Sequence, residues 1–135
     1  MNVGQNREPV REVQLVHEAA ESLRAIGWKV EEEPLVGHVR PDLIAVSPND
    51  NHVFVVEFKV GKSPSVHFGA LAQLAQYREA VASAKHGRVT PILVTNAAIH
   101  EQVQDVADGL GIRVFSGAPD TLPTTLFSGL QPLAD

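Results

Sequence analysis

The sequence contains no cysteine and no long hydrophobic run. The first absence excludes disulfide bonds, thiolate metal sites and a cysteine nucleophile, and it is compatible with a reducing cytoplasm. No stretch approaches the roughly 20 apolar residues of a transmembrane helix. The first nine residues are polar and lack the apolar segment of a signal peptide. We therefore expect a cytoplasmic protein with no membrane partner.

An excess of basic residues is also absent, since 11 lysine and arginine residues face 16 acidic ones and the net charge is −5. Neutralisation of phosphates provides most of the affinity of nucleic-acid-binding proteins, which usually carry a basic surface. Binding of nucleic acid by this chain would therefore depend on a partner, a dimer, local basic patches or bound cations. The glycine loop of nucleoside triphosphatases and the Gly-x-Ser-x-Gly turn of serine hydrolases are missing as well.

The composition and the hydrophobic pattern indicate one folded α/β domain. Apolar residues make up 44% of the 135 positions, and only 20% are charged, so the chain can bury a core. Periodicity and turn residues predict, in order, a helix at 10–26, strands at 28–33, 39–47 and 52–60, a helix at 65–85, a strand at 89–95, a helix at 100–110 and a strand at 112–115. This order predicts a mixed central β-sheet flanked by helices on both faces. We assign residues 1–116 to the domain and 117–135 to a proline-containing C-terminal tail that packs on the domain or on a partner.

The third predicted strand carries charge at its end. Its two faces are both apolar, which is typical of a central strand covered on both sides. Glu57 and Lys59 are two residues apart and project from the same face, where burial is costly unless the charges are paired or bind a metal. Asp42 follows Pro41 at the start of the preceding strand, and together these three residues could surround a divalent cation. A solvated Glu57–Lys59 pair at a frayed strand end is the alternative.

Pro41-Asp42, a turn, and then Glu57-Phe58-Lys59 at the end of an apolar strand resemble the signature of the PD-(D/E)XK nuclease superfamily. The likeness covers Arg11 to Thr95, and it implies a restriction-endonuclease-like fold with an αβββαβ core. It also implies an endonuclease or exonuclease that hydrolyses DNA phosphodiester bonds with Mg²⁺, for which Mn²⁺ can substitute. On this resemblance Asp42, Glu57 and the Phe58 carbonyl ligate the metal, a metal-bound water attacks the phosphorus, and Lys59 orients or helps to deprotonate that water.

The following helix carries a second resemblance. Gln73 and Tyr77 are four residues apart and lie on one helical face. They resemble the Gln-x-x-x-Tyr motif of RecB-type nucleases, in which this pair shapes the catalytic site and contacts the nucleic acid. The alternative is that Tyr77 is an aromatic residue at the edge of the core and that Gln73 is an ordinary surface residue.

Glu12 is a third candidate, because it falls within the apolar stripe of the first helix. Many members of the superfamily place a metal-associated glutamate there, and the resemblance therefore implies that Glu12 is a further metal ligand. The alternative is that Glu12 interacts favourably with the dipole near the start of the helix. The six histidines form no recognisable set of metal ligands, although His67 lies near the loop that follows Lys59.

We therefore expect a metal-dependent nuclease whose partner is nucleic acid, most readily DNA. A homodimer is also expected, because cutting both strands of a duplex needs two active sites. The alternative is a non-catalytic or partner-dependent subunit with the same fold, which binds nucleic acid or protein. Neither the strandedness of the substrate nor the choice of DNA over RNA follows from the sequence.

Overall fold

The computed structural model describes residues 7–60, 64–85 and 87–134. Side chains are described from residue 12 in the first of these segments and from residue 65 in the second. None of the helices in these segments is both long and apolar enough to cross a membrane. The elements are α1 (Arg7–Arg24), β1 (Lys29–Glu32), β2 (Leu43–Val46), β3 (His52–Lys59), α2 (Pro64–Ala84), β4 (Arg88–Thr95), α3 (Glu101–Leu110), β5 (Arg113–Ser116), a 3₁₀ turn (Pro119–Thr121) and α4 (Leu122–Leu133).

The strands form one mixed sheet in the order β1-β2-β3-β4-β5. Strands β1, β2 and β3 are antiparallel neighbours, whereas β4 is parallel to β3 and β5 is parallel to β4. Helices α2 and α3 provide the crossovers that parallel neighbours require. Strand β3 lies in the centre and is buried from His52 to Phe58. The predicted α/β fold with a mixed sheet is therefore confirmed.

Each face of the sheet has its own apolar core, and β3 contributes to both. The even-numbered residues of β3 pack with α1 and α4, in a cluster that includes Leu23, Phe54, Phe58 and Leu126. The odd-numbered residues Val53 and Val55 pack with α2 and α3, in a cluster that includes Leu71, Leu74 and Val103. Because residues of a strand alternate between faces, Glu57 and Lys59 lie on the α2 side of the sheet.

Residues 117–135, which the sequence predicts to be a tail, contain helix α4. Its residues Leu122, Leu126 and Leu130 recur at helical spacing and are fully buried in the cluster shared with α1. The approach of this helix to β5 is close, since a Cβ atom at Gly129 would lie 2.5 Å from the Phe115 ring. A side chain at position 129 would therefore force either the Phe115 ring or α4 to move.

Candidate active site

Asp42 and Glu57 lie opposite each other where β2 begins and β3 ends. The register pairs Leu43 with Val56, so the next antiparallel pair is Asp42 with Glu57. The backbone N–H of Asp42 donates to Glu57 Oε1 at 2.8 Å, and the backbone N–H of Phe58 donates to Asp42 Oδ2 at 2.8 Å. Each carboxylate is thus fixed by an amide of the neighbouring segment, and these two bonds do not use Asp42 Oδ1 or Glu57 Oε2.

The backbone carbonyl of Phe58 adds a third oxygen to this arrangement, because Pro41 cannot donate a hydrogen bond to it. Extended two residues beyond Leu43↔Val56, the register would place Pro41 opposite Phe58, and proline has no N–H to donate to the Phe58 carbonyl. The N–H and C=O of one residue point to the same side of an extended strand, so the Phe58 carbonyl faces the side on which its amide meets Asp42. Two carboxylates and a carbonyl are an oxygen-only donor set, which fits a hard cation such as Mg²⁺.

Lys59 lies beside the two carboxylates, on the side that is exposed to solvent. Its Nζ atom lies 3.8 Å from Glu57 Oε2, and its side chain is 28% exposed whereas that of Glu57 is 5% exposed. Glu57 is therefore covered by its surroundings while the ammonium group of Lys59 reaches the surface. This places a partly exposed cation beside the carboxylates.

Burial and mutual repulsion shift the titration of the two carboxyl groups. Burial raises the pKa of Asp42 to about 6, although the Phe58 amide and Lys59 act to lower it. Burial, followed by the charge of Asp42, raises the pKa of Glu57 to about 8 despite the nearby Lys59. Two adjacent carboxyl groups with little access to water hold a proton between them until a cation offsets their charge. The pair therefore suits a divalent ion.

We expect the metal-free protein to lose stability as the pH rises from about 5 to about 8. In this window folded Glu57, with a pKa of about 8, keeps a proton that the unfolded chain, with a pKa near 4.5, has released. The unfolded state therefore binds fewer protons, and the free energy of unfolding falls by roughly 1 kcal/mol per pH unit on account of Glu57. Asp42, whose pKa is raised to about 6, adds to this fall in the lower part of the window. Urea unfolding in EDTA at several pH values measures this slope.

Two variants make this measurement specific. Glu57→Gln removes the group with the higher pKa and should reduce the slope most between about pH 6 and pH 8, whereas Glu79→Gln changes an exposed glutamate of α2 and should leave it unchanged. A slope that is equally steep in Glu57→Gln would contradict a proton held at Glu57.

Helix α2 brings Tyr77 to the same face of the sheet. Tyr77 is half-buried, and its pKa is raised by burial and then by the charges of Glu57 and Asp42. Its hydroxyl group therefore lies within the field of both carboxylates. Gln73 is exposed one turn earlier on α2, and within the described residues its side chain makes no hydrogen bond. The proposed function of the Gln73–Tyr77 pair stays a prediction.

Glu12 reaches the site from the opposite face of the sheet. Its Oε1 atom accepts a hydrogen bond of 3.1 Å from the backbone N–H of Val60, immediately after Lys59. Its charge also acts to raise the pKa of both Asp42 and Glu57. Glu12 is thus close enough to influence the carboxylate pair, and it holds the chain that follows Lys59. Its role as a metal ligand stays a prediction.

A different cluster on the protein surface has the geometry of a metal site. Within the described segments, His17, Glu21 and Glu32 form a group whose ligand atoms all lie within 4.8 Å of one another. The guanidinium of Arg24 already donates to Glu21 Oε1 at 3.0 Å and to Glu32 Oε2 at 2.9 Å. An arginine therefore supplies the positive charge of this cluster, and we interpret it as an ion-pair network.

Two further features lie near the site: the backbone of Glu33, which the sequence does not predict, and His67, which the sequence places near the loop after Lys59 without indicating its partner. Glu33, placed there at the end of a strand, has a positive φ of 46° and donates its N–H to the Asp42 carbonyl at 2.8 Å. Its charge acts to raise the pKa of Asp42. Because Pro34 follows, an extended backbone is the ordinary expectation at position 33, so sequence alone predicts the opposite of what is observed.

The second feature is a buried contact between His67 and Thr95. His67 is 1% exposed, and its Nε2 atom lies 3.1 Å from Thr95 Oγ1. Thr95 is the β4 residue in register with Lys59. This contact ties the beginning of α2 to the strand beside Lys59, so it fixes one wall of the site.

Comparison with known proteins identifies the fold. No family model and no curated protein sequence matches the chain. Solved structures that match include a repair endonuclease from Pyrococcus abyssi (22% identity, TM-score 0.65, 80% of this chain and 47% of that one) and EndoMS in a complex with double-stranded DNA (18%, 0.57, 75% and 45%). A protein from Vibrio cholerae also matches (17%, 0.62, 88% and 32%). The predicted restriction-endonuclease-like fold is therefore confirmed, and the chain spans less than half the length of these three proteins.

Proposed function

We propose that this chain is a metal-dependent nuclease that hydrolyses phosphodiester bonds in DNA. The observation that carries the proposal is the pairing of Asp42 and Glu57 through two 2.8 Å backbone hydrogen bonds, with Lys59 beside Glu57. The fold shared with a repair endonuclease and with EndoMS, which was solved on double-stranded DNA, supports the same reaction class and the same polymer. Endonuclease and exonuclease activity are both compatible with this site.

The residues that would hold Mg²⁺, or Mn²⁺ in its place, are Asp42, Glu57 and the carbonyl of Phe58. When bound there, such an ion would supply activation of a water molecule and stabilisation of the charge that develops on the phosphate. The backbone bonds to Asp42 and Glu57 keep both carboxylates in place before any ion arrives. Such preorganisation lowers the cost of assembling the site at the moment of reaction.

Lys59 would act directly on the reacting groups. Its ammonium group is partly exposed and lies next to Glu57, so it can hydrogen-bond an attacking water and a phosphate oxygen at the same strand end. A positioned cation stabilises the negative charge of the transition state more than that of the ground state. Glu12 contributes by holding the Val60 amide, which limits how far the chain after Lys59 can move.

Binding of DNA to this acidic chain needs additional positive charge, and we propose that a second copy of the chain or a protein partner supplies that charge. The net charge is −5, and among the described cations Arg24, Lys29 and Lys85 are each paired with carboxylates. A homodimer would bring two active sites to one duplex. Light scattering on the isolated chain, with and without DNA, measures whether this dimer forms.

A panel of nucleic acids tests the proposed activity. We expect Mg²⁺-dependent or Mn²⁺-dependent cleavage of at least one DNA among single-stranded, duplex and branched substrates, and no cleavage in EDTA. An RNA panel of the same shapes defines the choice of polymer. No cleavage of any substrate, together with no metal binding by calorimetry, would instead favour a non-catalytic subunit with the same fold.

A further inference from the structure

Arg88 and Arg113 differ from the other described lysine and arginine residues in their hydrogen-bond and ion-pair partners. Six lysine and arginine side chains have an acidic or carbonyl partner: Arg24, Lys29, Arg40, Lys59, Arg78 and Lys85. Arg88 and Arg113 have no such partner among the residues that the structure describes, and both are exposed. Unpaired guanidinium groups in an acidic protein are available to an anion from outside.

Both of these arginines line the same cavity. It has a volume of about 470 Å³ and lies between the start of β4, the start of β5 and the end of α4. On its wall His52 and Thr90 are joined, with His52 Nε2 2.8 Å from Thr90 Oγ1. A cavity of this size is in the range of small-ligand sites.

The cavity is separate from the carboxylate site. Arg88 is in register with His52 at the start of β3, whereas Glu57 is five residues further along, which is roughly 17 Å at about 3.3 Å per residue. His52 also lies on the α4 side of the sheet and Glu57 on the α2 side, since residues alternate along a strand. A ligand in this cavity would therefore not touch the proposed metal site.

The charge in the cavity favours an anion. Among the described residues, the carboxylate of Asp108 shares the lining with the two arginines, and it accepts a 2.8 Å hydrogen bond from Gln104 Nε2. Burial and then the charge of Arg88 lower the pKa of His52, so His52 contributes no opposing or additional charge near neutral pH. Each guanidinium group presents paired N–H donors that match the oxygens of a phosphate, and two such groups line this cavity.

We propose that this cavity binds a phosphate group, carried by a free nucleotide or by a nucleic acid. The site is independent of the nuclease proposal, because it uses none of the residues assigned to catalysis. Arg88 and Arg113 provide the charge, and the His52–Thr90 pair forms part of the wall.

Titration of the full chain with inorganic phosphate, followed by the amide NMR signals of Thr90 and Gly111, tests this proposal. Arg88→Gln with Arg113→Gln should weaken saturable binding at least tenfold. The matched control is Arg24→Gln with Lys29→Gln, which removes the same amount of charge from exposed positions and should leave the affinity unchanged. If the double variant of Arg88 and Arg113 does not fold, the same titration is made with Arg88→Gln and Arg113→Gln separately. No saturable shift in the unaltered protein, or equal affinity in all variants, would overturn the proposal.

The same signals distinguish the two sources of phosphate. Deoxyadenosine monophosphate and a 5′-phosphorylated oligonucleotide are titrated in EDTA, which prevents cleavage. Equal affinity for both supports a free nucleotide as the ligand, whereas at least tenfold tighter binding of the oligonucleotide supports a nucleic acid. Binding of both ligands that is insensitive to the Arg88 and Arg113 changes would overturn the site.

Discussion

Replacement of Lys59 by alanine is expected to lower the rate of DNA cleavage at least about 100-fold, the usual effect of removing one group that stabilises transition-state charge. Lys59 Nζ lies 3.8 Å from Glu57 Oε2 at the exposed end of the carboxylate pair, so its loss removes the cation that we propose acts on the reacting phosphate. Stability should change little, because ion pairs of partly exposed lysines contribute about 1 kcal/mol or less. The measurement is the single-turnover rate on the best substrate of the panel.

Lys29→Ala is the matched control for this variant. Lys29 pairs with Asp50 at the surface and its side chain is 72% exposed, so the same chemical change is made far from the carboxylates. We expect Lys29→Ala to cleave at the unaltered rate and both variants to unfold at similar temperatures. A folded Lys59→Ala protein that retains its full metal-dependent rate would contradict the role assigned to Lys59.

Asp42→Asn should have the larger effect, since it removes a proposed metal ligand and should leave the fold intact. The amide oxygen of the substituted side chain can still accept the Phe58 N–H that Asp42 Oδ2 accepts at 2.8 Å, but it carries no charge to hold a cation. Loss of several kcal/mol of charge stabilisation corresponds to about a thousandfold loss of rate or more. Calorimetric titration with Mn²⁺ and the cleavage assay both measure this change.

The control for Asp42→Asn is Asp105→Asn, an equivalent change at an exposed position of α3. It should leave Mn²⁺ affinity and cleavage intact. If Asp42→Asn bound Mn²⁺ as tightly as the unaltered chain, the ion would have to be held elsewhere, and the surface group of His17, Glu21 and Glu32 would be the next position to test.

The fold follows from local patterns for most of the chain. The two-sided apolar pattern of β3 predicts its central place, and the order of helices and strands predicts the mixed sheet with its two layers of helices. Helix α4 is harder to predict because Pro123 and Pro132 are poor helix residues in general. Pro123 lies in the first turn, where its missing N–H costs nothing, and Pro132 lies at the end of the helix.

The candidate site is predictable only as a set of residue types. The spacing of Asp42, Glu57 and Lys59 indicates which side chains meet, but not that each carboxylate accepts an amide from the other segment. Contacts made across the fold carry no local signal. Arg88 and Arg113 are such a case, because they share a cavity only through the packing of parallel strands and α4.

The position of a bound ion is the most direct test of the metal site. Mn²⁺ is paramagnetic and broadens the NMR signals of nearby amides, so a titration of the full chain maps where it binds. We predict that the amide signals of Asp42, Glu57 and Phe58 broaden first, and that Asp42→Asn removes this effect. Broadening confined to His17 and Glu32, or none at stoichiometric Mn²⁺, would contradict a metal site at the Asp42–Glu57 pair.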